Sequence, residues 1–542
     1  FEPPPPDPPP LPPTLWRRAL RPTLRALHEA ADDPRVAGLV ARVGGALSWS
    51  TMQELRLGVH AFAASGKPTV AWAESFDGSM TAYVLATAFG EIWLQPGGGL
   101  GPLGMGVETT FLGGVLTKIG VEPQLEQRKE YKNAVDRLTR TEFTAPHRES
   151  LDALVGSIFD DAVTAVAQDR ALDADRVREL VDVGFLTAAE ALRARLVDRL
   201  GYRDEVYAAL RSGVTETTGT APDLLFADRW SPRAKPVPTL LKHVPGRHPG
   251  EVALVEVRGA IASGRSRRGA NGRQVGSDSV AAELRAATTD ENVRAVVLHV
   301  DSPGGSAVAS DTIWREVTRV RDAGKPVVVA MGGAAASGGY YLACPADVIV
   351  ALPATLTGSI GVFGGKFVLT NLLGRIGVST GSVQRGERAL MYSARRGFSD
   401  GERDRLAAGI DAIYDDFVAK VAQGRGRTVA EVEEVARGRV WSGADALEVG
   451  LVDELGGLRD AVRLARERAD LPPDAPVRRA LQVSPLSRLT PARNSEDPRA
   501  QLQAVRSALP DLQLMTRAVS ELGVLLGGAA DDALRMPAIT LH

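Results

Sequence analysis

The chain repeats itself, and a repeat limits the architecture before any single element is assigned. Asp33-Pro34-Arg35-Val36-Ala37-Gly38-Leu39-Val40 matches Glu291-Asn292-Val293-Arg294-Ala295-Val296-Val297-Leu298 in order and character. Ser65-Gly66-Lys67-Pro68-Thr69-Val70 matches Ala323-Gly324-Lys325-Pro326-Val327-Val328. Ile158-Phe159-Asp160-Asp161 matches Ile413-Tyr414-Asp415-Asp416, and Leu196-Val197-Asp198 matches Leu451-Val452-Asp453. The offset stays between 255 and 258 through these pairs, which chance does not produce.

Each copy alternates short β-rich runs with amphipathic stretches. In the second copy the pattern predicts strands at Val252–Val257, Ala295–Val300 and Pro326–Ala330, with helices at Ser279–Ala287 and Asp311–Asp322. Near-continuous apolar strands between helices imply a parallel sheet covered on its faces, so each half is expected to be an α/β domain. The expected boundaries are a Pro-rich N-terminal segment over 1–29, a first repeat over 30–211, a linker over 212–250, a second repeat over 251–468 and a tail over 469–542. The first copy has no counterpart to Glu251–Ile261 and the sequence opens on Phe1, which together predict residues missing upstream. Pro3–Pro13 holds nine prolines in eleven residues and reads as an extended linker. The tail is expected to carry helices at Ala500–Leu509 and Asp511–Leu526, broken at Pro510. In the second of these, Leu512, Met515, Val519, Leu522 and Leu526 form one apolar face, expected to pack on its own chain, with a partner or a membrane as the alternative.

Composition removes several functions. Lys+Arg 64 against Asp+Glu 66 leaves a net charge of -2, too little positive charge for a general nucleic-acid binder. The single cysteine, Cys344, excludes an intrachain disulfide and a multi-cysteine zinc site. None of the 7 histidines stands in an H-E-x-x-H pattern, so neither a metal nor another cofactor is expected. Val327 to Ala346 runs 20 residues without a charge, but its four glycines and Pro345 predict a buried strand, a turn and a buried helix rather than a membrane span.

Chemistry-bearing residues concentrate in the second copy. Asp301-Ser302-Pro303-Gly304-Gly305-Ser306 follows a strand, and two glycines there let backbone N–H groups face outward, as an oxyanion hole requires. Ser337 stands among Gly332-Gly333-Ala334-Ala335-Ala336 and Gly338-Gly339, a setting that keeps a nucleophile accessible at a strand-to-helix junction. Taken alone, Ser337 is equally well a helix cap. Its base is either His299, two residues before Asp301, or a lysine made neutral by burial. Gly99-Leu100-Gly101-Pro102-Leu103-Gly104 fits a dinucleotide-binding pattern, but Pro102 marks it as a chance match.

Asp301–Ser306, Ala336-Ser337-Gly338-Gly339-Tyr340 and Thr357-Gly358-Ser359-Ile360-Gly361-Val362 together resemble the long, duplicated form of the signal peptide peptidase A (protease IV) family. The resemblance implies tandem Clp-protease/crotonase-like repeats and a serine endopeptidase with a Ser/Lys dyad. It implies Ser337 as nucleophile, and Lys132, in Tyr131-Lys132-Asn133-Ala134, as general base. Ser359 would orient the lysine, and Gly304, Gly305 and Gly338 would be the oxyanion donors. Where the family often has glycine two before the tyrosine, this chain has Lys129, a competitor for Lys132. Among the neighbours, Glu126, Glu130 and Asp136 would raise a lysine pKa while Arg128 and Lys129 would lower it, so burial must dominate. The repeat agrees with a division of labour: Lys132 matches Glu387, and Ser337 matches Met80 or Ser79.

By the same resemblance the substrates are cleaved signal peptides and other apolar peptides. The chain would be membrane-associated with extracytoplasmic domains and a homo-oligomer, a tetramer. The rival readings are a catalytically inactive membrane scaffold and a crotonase-like acyl-CoA hydratase or thioesterase.

Overall fold

The computed structural model describes residues 13–78, 80–101, 103–227, 230, 250–269, 272–480 and 534–535. The chain divides into two compact units, one of residues 1–105 with 159–247 and the other of 106–158 with 248–542. The helix Ala145–Arg170 carries the chain from the second unit into the first.

In the first unit Leu39–Arg42, Thr69–Ala73, Glu91–Leu94 and Arg199–Leu200 form a sheet in that order, parallel throughout. The second unit is built on a larger sheet. Its path runs Val440–Trp441, Leu356–Gly358, Val327–Ala336, Val293–Ser302, Glu251–Arg258, Val477–Arg479, with Val348–Ala351 also pairing Val327–Ala336. The four strands at its centre are parallel, and both faces are covered. Val255, Val296, Leu298 and Val329 meet Leu284, Ile313 and Val317 of helices Ser277–Thr289 and Ala307–Asp322. On the other face Leu254, Val297 and Val328 meet Ala461, Leu464 and Ala465 of helix Leu458–Arg468. Strands buried on both sides have no polar face to keep, which is why they read as unbroken runs of valine and alanine.

The duplication recurs atom for atom. Tyr83 OH donates to Leu196 O at 2.8 Å, and Tyr340 OH to Leu451 O at 2.8 Å. Ile92 N–H donates to Asp198 at 2.7 Å, and Ile349 N–H to Asp453 at 2.7 Å. Arg170 and Arg425 each clamp the aspartate of their own repeat, Asp198 and Asp453. The chain is therefore two tandem α/β repeats, each with a parallel sheet and covering helices.

The expected charge-free stretch is a strand, Val327–Ala336, then Ser337, then helix Gly338–Ala343. Among the described residues no helix is long and apolar enough to cross a membrane. Two differences concern segment ends. Pro13 opens a helix that runs to Ala31, because Leu24 and Leu27 pack over Gly58 and outweigh the internal Pro22. Helix Arg203–Thr218 continues past the expected boundary at 211. Pro3–Pro12, most of the linker before Gly250, and the two expected tail helices lie outside the described residues.

Candidate active site

Three turns of the second unit converge on one polar cluster. The first ends the strand Val327–Ala336. Ser337 has φ +55° and ψ -119°, its N–H donates to Gly358 O at 2.8 Å, and Tyr340 and Tyr341 donate back to its carbonyl. A left-handed φ on a serine costs roughly 1–3 kcal/mol and persists only where the surroundings hold it. Here the small residues on both sides leave space for that turn.

The second turn follows strand Leu356–Gly358. Gly358 and Ser359 have φ +70° and +50°, and Ser359 N–H donates to Arg439 O at 2.6 Å. A side chain on Gly358 would lie 2.8 Å from the Trp441 ring, so glycine is needed there on two counts.

The third turn carries Lys132. Tyr131 N–H donates to Arg437 O at 3.1 Å, and Lys132 N–H to Lys129 O at 3.3 Å. Lys132 Nζ then lies 2.8 Å from Ser337 Oγ, 2.9 Å from Ser359 O and 3.0 Å from Ser359 Oγ. The lysine is 1% exposed and Ser337 0%. Burial alone holds the amine well below the usual lysine range. The charges that flank it in sequence are spent elsewhere: Arg128 pairs with Asp411, Lys129 with Glu433, and Glu130 with Arg437. Lys129 is half exposed and stands over the Tyr414 ring, so it is not the lysine at Ser337.

The glycine-rich turn after Val293–Ser302 flanks the serine. A side chain on Gly338 would come within 2.5 Å of Ser310 Oγ and 3.1 Å of Gly305 N, so these backbones are in close contact. Gly304 differs from expectation. Its N–H donates to Ser302 Oγ at 3.1 Å, because the hydroxyl two residues upstream folds back over the turn. Of the other expected donors, Gly305 lies against Gly338, the residue that follows Ser337. His299 is buried on its strand with Nδ1 accepting from Arg258 at 3.3 Å, while Ser337 Oγ is held by the lysine. Cys344 is buried, which pushes its thiol up to about 12 and leaves it protonated at neutral pH. Ser79, one candidate counterpart of Ser337, lies outside the described residues.

Sequence reasoning missed Gly438. Its φ is +84°, and a side chain there would stand 2.5 Å from Lys132 N, so it is what lets the lysine turn seat against the strands. Gly438 is 306 residues from Lys132, and nothing local marks it.

A family model described as Peptidase family S49 matches residues 61–216 and 319–472. The chain belongs to peptidase family S49. Among S49 relatives, Protease 4 of Salmonella typhi is 33% identical over 469 residues, 84% of this chain and 73% of that protein. The chloroplastic serine protease SPPA of Arabidopsis thaliana is 31% identical over 452 residues, 82% of this chain and 65% of that protein. With these relatives the chain is a serine peptidase. A solved ClpP1 point mutant from Listeria monocytogenes has 16% identity and a TM-score of 0.25, over 39% of this chain and 94% of that one.

Proposed function

We propose that this S49 peptidase is a Ser/Lys-dyad endopeptidase that degrades cleaved signal peptides and other apolar peptides at the membrane, as a homo-oligomer. The observation that carries the dyad is the 2.8 Å approach of a buried Lys132 Nζ to Ser337 Oγ, with no carboxylate bonded to the amine among the described residues. Neutral Lys132 accepts the Ser337 proton as Oγ attacks the scissile carbonyl. Ser359 holds the amine in line through two contacts. The oxyanion is stabilised by the N–H groups of Gly305 and Gly338, the second at the start of a helix where N–H groups have no intrahelical acceptor. The Lys132 ammonium then protonates the leaving amine; water, deprotonated by the same lysine, attacks the acyl carbon, and as the C–Oγ bond breaks the lysine returns that proton to Ser337 Oγ.

The edge of Gly304–Gly305 supports a peptide substrate. It pairs antiparallel with an extended segment of the chain itself, Leu534–Arg535. Extended backbone is what that edge accepts.

The test is labelling with a fluorophosphonate or a peptide aldehyde, read by mass spectrometry. The adduct is expected on Ser337, and Ser337→Ala or Lys132→Ala is expected to lower kcat by roughly 10⁴ or more, with the double variant no worse than either. An adduct elsewhere, or Ser337→Ala at full rate on apolar peptides, would rule the dyad out.

A further inference from the structure

All partners of the Lys132 amine belong to Ser337 and Ser359. A neutral Nζ has one lone pair, for the Ser337 proton, and two hydrogens, for Ser359 O and Ser359 Oγ, so these contacts fill its capacity. Ser359 Oγ accepts from the amine, and its own hydroxyl proton has no acceptor among the described residues.

Beside the lysine turn lies a small cavity of about 20 Å³, room for one water molecule. Lys132, Asn133, His147 and Ser359 all line it. Two buried polar atoms of these residues have no hydrogen bond among the described residues: Asn133 Oδ1, on a side chain 6% exposed, and His147 Nδ1, on one 4% exposed. Asp136 Oδ2 stands 3.3 Å from that nitrogen, too poorly aligned to bond but near enough to favour the tautomer with its proton on Nδ1. A buried polar atom left unpaired costs roughly 1–3 kcal/mol, so two such atoms at one cavity of this size favour a water between them.

Both residues are held still. Asn133 follows Lys132 directly and opens the turn Asn133–Val135, with its N–H donating to Tyr131 O at 2.8 Å. His147 lies in the first turn of helix Ala145–Arg170, with its backbone N–H donating to Thr144 Oγ1 at 3.3 Å. Phe143 and Phe111 meet its ring edge-on, at 4.9 and 6.0 Å between centroids. A ring clamped in this way offers its nitrogen in one direction.

We propose that one water fills this cavity and that Asn133 and His147 are positioning residues for Lys132, acting through it. The water donates to Asn133 Oδ1, accepts from His147 Nδ1–H and accepts a hydrogen bond from the Ser359 hydroxyl. Ser359 Oγ is thereby turned with a lone pair toward Lys132 Nζ, and the amine keeps its own lone pair on Ser337. No proton travels this chain of contacts; its work is orientation. The inference rests on the dyad proposed above.

The test has two arms. In a high-resolution crystal structure of the full chain, one ordered water is expected within about 3.2 Å of both Asn133 Oδ1 and His147 Nδ1. A dry cavity would overturn the inference. The second arm is steady-state kinetics on apolar peptides. His147→Leu, similar in volume but without the nitrogen, is expected to lower kcat roughly 10-fold or more with KM within about two-fold. His147→Asn returns a donor to the place of Nδ1 and is expected to bring kcat back to within about 3-fold of the wild type. A merely structural histidine gives the opposite order, because leucine suits the Phe111 and Phe143 surround better than asparagine does. Asn133→Leu is expected to match His147→Leu, and the double variant to be no worse than either, since both act through one water. Should His147→Leu fail to fold, Asn133→Leu and the crystal structure still decide. Wild-type kcat in either folded leucine variant, or no recovery in His147→Asn, would overturn the inference. Lys132→Ala, assayed alongside, separates the two readings: if it keeps turnover the dyad itself fails, and if it is inactive while His147→Leu is not impaired, only the positioning role fails.

Discussion

Lys132 is a charge-capable group held where charge is costly, and that sets how the protein should respond to pH. An exposed lysine titrates near ~10.4, and burial moves this one well below its ordinary value. Between the folded and unfolded values the unfolded chain binds the extra proton, so this residue makes stability rise with pH. Lys132→Met is expected to flatten that slope and to raise stability at neutral pH by roughly 0.5–2 kcal/mol while abolishing turnover. Denaturant melts at several pH values would read it, and a less stable Met variant would contradict it. Activity should follow the neutral amine, falling as pH drops through the depressed lysine value, and Lys132→Arg should not restore it because guanidinium stays charged. His299→Gln should keep most activity, since Ser337 is bonded to the lysine; a loss near three orders of magnitude would move the base to His299. Ser337 was legible because small residues isolate it, and Lys132 only through the family motif, since its sequence neighbours are charged. The engagement of Gly304 by Ser302 was not legible, because spacing says nothing about which way a hydroxyl folds back.

At the scale of elements, what was legible is what periodicity encodes. Val327 to Ala346 announced a strand, a serine and a helix because a buried parallel strand must be apolar on both faces. The helix Pro13–Ala31 was hidden by its prolines, although its position matches Ser277–Thr289 in the second repeat. The seat of Lys132 was hidden for another reason: Gly438 acts through a contact between distant segments, and its left-handed φ leaves no local signature. Gly438→Ala tests that seat. The new methyl would meet the Lys132 backbone at 2.5 Å and the φ of +84° would be strained, so the lysine turn must withdraw. A drop in kcat of roughly 100-fold is expected from a displacement near 1 Å, with KM less affected and a stability loss of about 1–3 kcal/mol. Steady-state kinetics beside a thermal melt would separate the two, and wild-type kcat in a folded variant would mean the seat lies elsewhere.

The proposed dyad draws on both repeats of the duplicated chain but on one compact unit. Residues 106–158 come from the first repeat in sequence and pack with the second, so Lys132, Ser337 and Ser359 share one unit. The sequence offsets revealed the repeats, whereas this exchange of a segment depends on the pairing of Glu122–Arg128 with Val362–Val368, two stretches with no shared pattern. A consequence can be measured with a fragment of residues 249–470. It keeps Ser337, Ser359 and the glycine-rich turn but lacks Lys132, and it exposes Val362–Val368 as a bare edge. It should retain helix and sheet by circular dichroism, self-associate through that edge, and cleave nothing. Adding residues 1–248 in trans should restore turnover in proportion to complex formed, and the same addition carrying Lys132→Ala should restore none while still binding. That last pair separates structural completion of the sheet from supply of the amine. If the fragment alone cleaved apolar peptides at the intact chain's rate, the base would have to lie within 249–470, and the exchanged segment would be scaffolding.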